Sequence, residues 1–264
     1  MNYIELILLG IIQGITEFLP ISSSGHLLIG RSLFNIQTNA SGPFIEVFLH
    51  GETLLSILFY WKDDLINDIK KNITGESKLF LNVIIGTIPA GIMVLFFKDN
   101  IDSYFFNIQN LSYLSISYLC LAIILFLTKI QYKNANSYNH ILYKFAFLIG
   151  IAQCIAVIPG ISRSGITIAT AIFLGVNKKQ ATNFSFMLAI PILFFTFVGA
   201  LVENFNLFSN SLLFWPLILG FISSFITGYF VIGLLVKMIE KQRLWYFSIY
   251  CLFISFILGY YYGL

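Results

Sequence analysis

The sequence predicts an all-α polytopic membrane protein with six transmembrane helices and two re-entrant helical hairpins in an inverted-topology repeat. Three observations predict it. Of 264 residues, 58% are hydrophobic and 10% charged, with a mean hydropathy of +0.86; that is too little polar surface to cover a water-soluble globule of this size. Apolar runs long enough to span a hydrocarbon core lie near residues 44–61, 79–97, 111–128, 183–201, 212–236 and 244–262. Two shorter stretches, Gly10 to Gly25 (GIIQGITEFLPISSSG) and Gly150 to Gly165 (GIAQCIAVIPGISRSG), repeat each other at an offset of 140 residues.

The first element, Met1 to Gly30, has no basic leader and already carries Glu5, so it is expected to stay on the chain and not to act as a cleaved signal. Pro20 cannot continue a helix and disfavours helix at Leu19, while Ser22, Ser23 and Ser24 are good caps for a new helix starting near Gly25. A break is therefore expected at 20–24, and Pro159 and Gly160 before Ser162, Arg163 and Ser164 make the same break in the second copy. Non-helical backbone at membrane depth survives only when buried in protein or lining a wet cavity. Each new helix start would offer N–H groups to an anion, and two facing starts would make a phosphate-sized cradle. The plainer alternative is a pair of Pro-Gly kinks whose serines bond their own backbone.

Charge in the connections orients the spans. Lys62, Lys70, Lys71 and Lys78 fall in 62–78, Lys129, Lys133 and Lys144 in 129–144, and Lys178, Lys179, Lys237, Lys241 and Arg243 mark two more; by the positive-inside rule these four are cytoplasmic. The connection 202–211 has no Lys or Arg, and 98–110 has only Lys98 beside Asp99 and Asp102, so both are expected outside. The stretch 142–176 is then flanked by cytoplasmic loops on both sides and must enter and return. Three spans follow each hairpin, so the halves, about 1–128 and 142–264 of a single membrane domain, would be inverted relative to each other. Beyond the hairpins the repeat fades, with Phe44 matching Phe184 and little else.

The basic residues lie in loops and the net charge is only +3, which excludes a nucleic-acid surface. Cys120, Cys154 and Cys251 are odd in number and without metal-ligand spacing, so they are expected to be packing residues.

The two copies differ where chemistry would sit: the first holds Glu17, Ser23 and His26 where the second holds Val157, Arg163 and Ile166. Gln13 and Glu17 lie one helical turn apart on one face, about 6 Å along the axis. An ionised glutamate in lipid costs at least a few kcal/mol, so Glu17 should meet a cation, a partner or water. Oxygen ligands of this kind suit Mg²⁺ or Ca²⁺, and a structural ion pair with Arg163 is the alternative. Arg163 offers a planar fork for phosphate. His26, three residues after Ser23, is placed to exchange a proton with the serine loop. His50, Glu52 and Glu46 form a further polar patch of ambiguous role, with Glu46 near the outer interface and Glu52 deeper, and His140 is expected to be a solvated loop residue.

The segments Gln13-Gly-Ile-Thr-Glu17-Phe-Leu-Pro20-Ile-Ser-Ser23-Ser-Gly-His26 and Pro159-Gly-Ile-Ser-Arg163-Ser-Gly-Ile-Thr167 closely resemble the two signatures of the bacitracin-resistance type undecaprenyl-diphosphate phosphatases. The likeness runs nearly the whole length. It implies an integral enzyme of the bacterial cytoplasmic membrane that hydrolyses the C55 polyprenyl diphosphate carrier to the monophosphate and phosphate with a divalent cation. Such recycling serves cell-wall synthesis and confers bacitracin resistance. It also implies Glu17, Ser23, His26 and Arg163 as the catalytic set. The residues themselves lead us to expect Glu17 with Gln13 at the metal, and Ser22, Ser24, Ser162, Ser164, Thr167 and Arg163 around the phosphates. The active site is expected to open to the outer face.

Two departures stand out. Gln13 occupies a position where many relatives have glutamate, and His50-Gly-Glu52-Thr53 stands where relatives usually read His-Leu-Gly-Thr, so Glu52 either restores the missing charge or lines the cavity. The expected partners are the polyprenyl diphosphate lipid and membrane lipids, and small residues on the spans are compatible with a homodimer. Inverted repeats also suit a transporter or lipid flippase, and Ser23 with His26 would suit an intramembrane serine hydrolase. The concentration of Glu17, Ser23, His26 and Arg163 favours phosphoryl transfer over both.

Overall fold

The computed structural model describes residues 3–33, 42–74, 78–105, 111–131, 138, 140–205 and 211–262, without the side chains of 42, 43, 46, 98–103 and 211–213. The expectations for Glu46, Lys98, Asp99, Asp102 and Lys133, and for most of the connection 202–211, fall outside these.

Among the described residues every element longer than the single bridge between Tyr138 and Val176 is helical. In chain order they are α1 (Tyr3–Phe18), α2 (Ser23–Leu33), α3 (Gly42–Tyr60), α4 (Lys62–Ile73), α5 (Leu79–Phe105), α6 (Ser112–Gln131), α7 (Tyr143–Ile155), α8 (Arg163–Phe173), α9 (Lys178–Glu203), α10 (Ser211–Glu240) and α11 (Tyr246–Tyr262). Among the described residues four stretches are long and apolar enough to cross a bilayer: Leu79–Phe97, Ser112–Gln131, Lys178–Glu203 and Phe214–Glu240. Val47–Tyr60, Tyr143–Ile155 and Tyr246–Tyr262 are shorter apolar helices. Large apolar side chains such as Leu95, Phe96, Phe195, Phe230 and Phe256 point outward along these helices, an arrangement stable against lipid and not against water. The protein is a polytopic membrane protein.

Both breaks fall where proline and serine put them. α1 stops at Phe18 and α2 starts at Ser23, near the expected start, with Ser22 of the three expected caps filling the role: the Gly25 N–H donates to Ser22 Oγ at 3.4 Å. α7 stops at Ile155 and α8 starts at Arg163, capped by Ser162, whose Oγ accepts the Gly165 N–H at 3.1 Å. The connection 62–78 is not an open loop but carries α4, with Asp63 and Asp64 in its first turn and Lys70 and Lys71 in its last, matching the helix dipole. Ile66, Ile69 and Ile73 lie exposed along it.

Glycines set how closely the helices approach. α1 lies on α10, where a Cβ at Gly10 would sit 2.2 Å from Gly220 O and one at Gly14 2.3 Å from Ser224 O. α7 lies on α5 in the same manner, with a Cβ at Gly150 falling 2.3 Å from Gly86 O. Gly10 and Gly150 are the two positions that match at the 140-residue offset. The offset recurs in the last spans, where the repeat is barely visible in sequence. Ser115 Oγ on α6 donates to Ser255 O on α11 at 2.8 Å, and Ser255 Oγ donates back to Ser115 O at 2.7 Å, 140 residues apart. Phe44 and Phe184 are both buried, one in a small cluster with Leu6, Leu9, Leu27 and Phe48, the other in the main core with Phe18, Trp61 and Phe186. His140 is exposed, Cys251 buried and Cys154 partly buried; Cys120 is exposed, so it is not a core packing residue.

Candidate active site

The two breaks meet inside the protein. Gly160 N–H, at the second tip, donates to Ser22 Oγ at the first at 3.0 Å, and Ser164 Oγ donates to Phe18 O at 3.3 Å. Gly160 adopts φ +93, which its lack of a Cβ allows. With Ser22 and Ser162 as caps, the amides of Ser23, Ser24, Arg163 and Ser164 are left without intrahelical acceptors, as in the first turn of any helix.

One carboxylate organises what lies between the tips. Glu17, in the last turn of α1, is buried. Its Oε1 accepts from Arg163 Nη2 at 2.9 Å. Its Oε2 accepts from Gln13 Nε2 at 3.0 Å, one turn back on α1, and from the Ser23 hydroxyl. His50 Nε2, from α3, lies 3.3 Å from the same oxygen. Four side chains, three of them from other helices, thus converge on Glu17, and an ionised carboxylate buried in a membrane protein requires such donors. The Arg163 and His50 side chains are 18% and 23% exposed against 6% for Glu17, so these two side chains form the open side and the carboxylate the floor.

The remaining expected residues divide. Ser24 is partly exposed, its Oγ 3.3 Å from Ser22 Oγ. Ser22, Ser162 and Ser164 are buried; Ser22 and Ser164 stitch the tips together, and Ser162 Oγ lies 3.1 Å from Ser164 Oγ within the second tip. Thr167 is also buried; its hydroxyl donates to Arg163 O at 2.7 Å and lies 2.6 Å from Ser185 Oγ on α9, so it braces α8 and does not face the opening. His26 is not hydrogen-bonded to Ser23: its Nδ1 faces Ser22 O at 2.7 Å and its Nε2 the Tyr250 hydroxyl at 2.7 Å. Glu52 does not join Gln13 and Glu17 in a hydrogen bond. It is fully buried behind them, accepting from Thr53 at 3.1 Å and Ser56 at 3.2 Å, and a Cβ at Gly228 of α10 would lie 3.1 Å from its Oε2.

A hard divalent cation fits this donor set. Gln13 Oε1 is buried and has no hydrogen-bond partner, an oxygen lone pair left open beside the Glu17 carboxylate. The Gln13 and Glu17 side chains offer oxygens of the type Mg²⁺ and Ca²⁺ take, and among the described residues no group of three His, Cys, Asp or Glu side chains gathers.

Comparison with known proteins agrees with the signatures. The family model described as bacitracin resistance protein BacA matches residues 6–257. The chain belongs to the bacitracin resistance protein BacA family. Relatives include proteins named undecaprenyl-diphosphatase from Bacteroides fragilis, 35% identical over 97% of each chain, and from Christiangramia forsetii, 34% identical over 95% of each. A Bacillus cereus protein named undecaprenyl-diphosphatase 4 is 37% identical over 95% of this chain and 93% of its own.

For a member of the BacA family the site holds residues that sequence reasoning passed over. His50 was visible only as part of an ambiguous polar patch, because nothing local says which face of α3 meets α1. Tyr118 and Tyr250, which hold the His26 ring, are two of 14 tyrosines in the chain, and no local signal separates them from the rest.

Proposed function

We propose that this chain is a membrane phosphatase that hydrolyses undecaprenyl (C55 polyprenyl) diphosphate to undecaprenyl phosphate and inorganic phosphate. It would recycle the lipid carrier for cell-wall synthesis and confer bacitracin resistance. The observation that carries the proposal is the convergence of Ser23, Arg163 and His50 on the buried Glu17 carboxylate between two facing helix starts. The names of the relatives support it.

The architecture we propose is six transmembrane helices, α3, α5, α6, α9, α10 and α11, with α1–α2 and α7–α8 as re-entrant hairpins. The halves, about 1–128 and 142–264, would be related by inverted topology, in the bacterial cytoplasmic membrane with the site open to the outer face. The glycine contacts of α1 with α10 and of α7 with α5 support this pairing, as do the reciprocal Ser115 and Ser255 bonds.

In the proposed chemistry the terminal phosphoryl group enters between Arg163, His50 and the N–H groups of the two tips. Arg163 turns from Glu17 Oε1 to the phosphoryl oxygens, bridging them with its fork, and Ser24 adds a donor. Glu17 Oε2 takes the Ser23 proton as Oγ bonds to phosphorus and the bridging P–O bond breaks. The proton passes to the departing polyprenyl monophosphate. Water then attacks the phosphoserine, releasing phosphate and returning a proton to Ser23. Arg163 and the amides carry the charge that builds on the equatorial oxygens. Gln13 and Glu17 would hold Mg²⁺ or Ca²⁺, which when bound supplies positive charge to the diphosphate.

The test is phosphate release from C55 polyprenyl diphosphate by the purified chain with Mg²⁺ or Ca²⁺. Glu17→Ala and Arg163→Ala should each lose at least about 10²-fold. Absence of release by the wild-type chain, or variants as active as wild type, would overturn the proposal.

A further inference from the structure

The His26 ring faces away from the reacting hydroxyl. Its Nδ1 lies 2.7 Å from Ser22 O and 2.9 Å from the Tyr118 hydroxyl, and its Nε2 lies 2.7 Å from the Tyr250 hydroxyl. A carbonyl can only accept, so Nδ1 carries a proton and donates it to Ser22. In the neutral ring Nε2 then accepts from Tyr250. The Ser23 hydroxyl is given to Glu17 instead. Both ring nitrogens are engaged elsewhere.

What the ring holds is a backbone conformation. Ser22 has φ +66, a left-handed state that a residue with a Cβ adopts only when its surroundings enforce it. Its carbonyl accepts the His26 Nδ1–H, the His26 backbone N–H at 3.2 Å and the Tyr118 hydroxyl at 3.4 Å. Gly25 makes room for that hydroxyl, since a Cβ there would lie 2.6 Å from it.

The second hairpin is an internal control. Ser162, which matches Ser22 at the 140-residue offset, has an ordinary φ of −74 and caps its helix through the same Gly165 N–H bond. Capping therefore does not need the left-handed turn. At the position of His26 the second copy has Ile166, with no ring to hold a carbonyl. The imidazole and the left-handed serine occur together, and the residue that follows is Ser23 in one copy and Arg163 in the other.

We propose that His26 is a positioning residue whose Nδ1–H, with Tyr118 beside it, locks Ser22 in the left-handed turn that delivers the Ser23 hydroxyl to Glu17. The imidazole carries no proton in the reaction. The kinetic arm of its test rests on the phosphatase reading; the stability arm does not.

Four variants of the full chain decide it: His26→Asn, whose amide N–H takes the place of Nδ1–H, His26→Gln, whose amide reaches toward Nε2, His26→Ala, and Ser22→Gly, which adopts positive φ without strain. Thermal unfolding midpoints in detergent should show His26→Ala costing less in the Ser22→Gly background than in wild type. For phosphate release, His26→Asn should keep kcat within about tenfold of wild type with an unchanged pH profile, while His26→Gln and His26→Ala fall further, general acid–base groups being worth roughly 10²–10⁴-fold. Ser22→Gly should recover about tenfold or more of the His26→Ala loss. Equal losses in all three His26 variants, with a limb missing from the pH profile and no recovery by Ser22→Gly, would make His26 an acid–base group and overturn the proposal. If the wild-type chain releases no phosphate, the function falls while the thermal cycle still decides the lock: strictly additive midpoint losses would overturn it.

Discussion

Arg163 Nη2 donates to Glu17 Oε1 at 2.9 Å from 146 residues away in the chain. The pair joins the two hairpins, and it sets a cation beside the one carboxylate that also receives the Ser23 hydroxyl. Breaking a buried pair from one side leaves the other charge uncompensated. Lysine can keep the charge but not the planar fork. Arg163→Lys should therefore lower kcat for phosphate release by roughly 10²–10³-fold, the scale of losing one oriented donor. A loss below tenfold would mean that charge alone suffices.

Ser23→Ala separates a serine nucleophile from direct attack by water. With the Ser23 hydroxyl already on Glu17, single-turnover hydrolysis should fall by at least about 10³-fold, a loss of about 4 kcal/mol in transition-state stabilisation. Acid-quenched wild-type protein should carry a phosphoryl group on Ser23 by mass spectrometry. Near-normal single-turnover hydrolysis in the variant would exclude the covalent path.

Gln13→Glu should lower the Mg²⁺ or Ca²⁺ concentration needed for half-maximal activity. Gln13 Oε1 is a buried oxygen with no partner, and a carboxylate there adds an anionic ligand for a hard cation. Without the ion, two carboxylates one helical turn apart repel, so the variant should also be less stable to heat when chelator is present. Unchanged metal dependence would take Gln13 out of the ion's coordination.

Gly14→Ala should destabilise the protein by about 1–3 kcal/mol, the usual cost of overpacking. Its new Cβ would lie 2.3 Å from Ser224 O, a backbone atom that can yield only if α1 and α10 separate. Unfolding in detergent checks it, with Gly91→Ala as the control, since a Cβ at Gly91 meets nothing within 4 Å.

Ser115→Ala and Ser255→Ala each remove one hydroxyl donor from the pair joining α6 and α11. Bonds of this type in membrane proteins average about 0.6 kcal/mol. Because each hydroxyl donates to the opposite carbonyl, the two losses should add in the double variant. A large non-additive term would point to the 3.4 Å contact between the hydroxyl oxygens as the dominant link.

The outline of the site was legible because its ingredients are anomalies in an apolar chain: Glu17 where lipid forbids a lone charge, proline next to serines where a helix should run on, Arg163 where the matching residue is a serine. Their meeting followed from the duplication. What was not legible concerns direction. Ser23 and His26 are three residues apart, which places them near one face of α2, yet Ser23 turns to Glu17 and His26 to Tyr118 and Tyr250. Side-chain direction at a helix start depends on the backbone angle before it, and here that angle is the left-handed φ of Ser22.

By itself the sequence determined the membrane class, the twofold repetition and the polar residues that stand out in an apolar chain, since composition, apolar run length and an offset match are properties of the chain alone. Only the tertiary structure decided which residues hold which. His50 reaches Glu17 because α3 packs beside α1, Thr167 is spent bracing α8 against α9, and Glu52 lies buried against α10. Each of these depends on how helices far apart in sequence rotate against one another, and close approach at glycines such as Gly10, Gly14 and Gly150 sets that rotation by contacts no local pattern encodes.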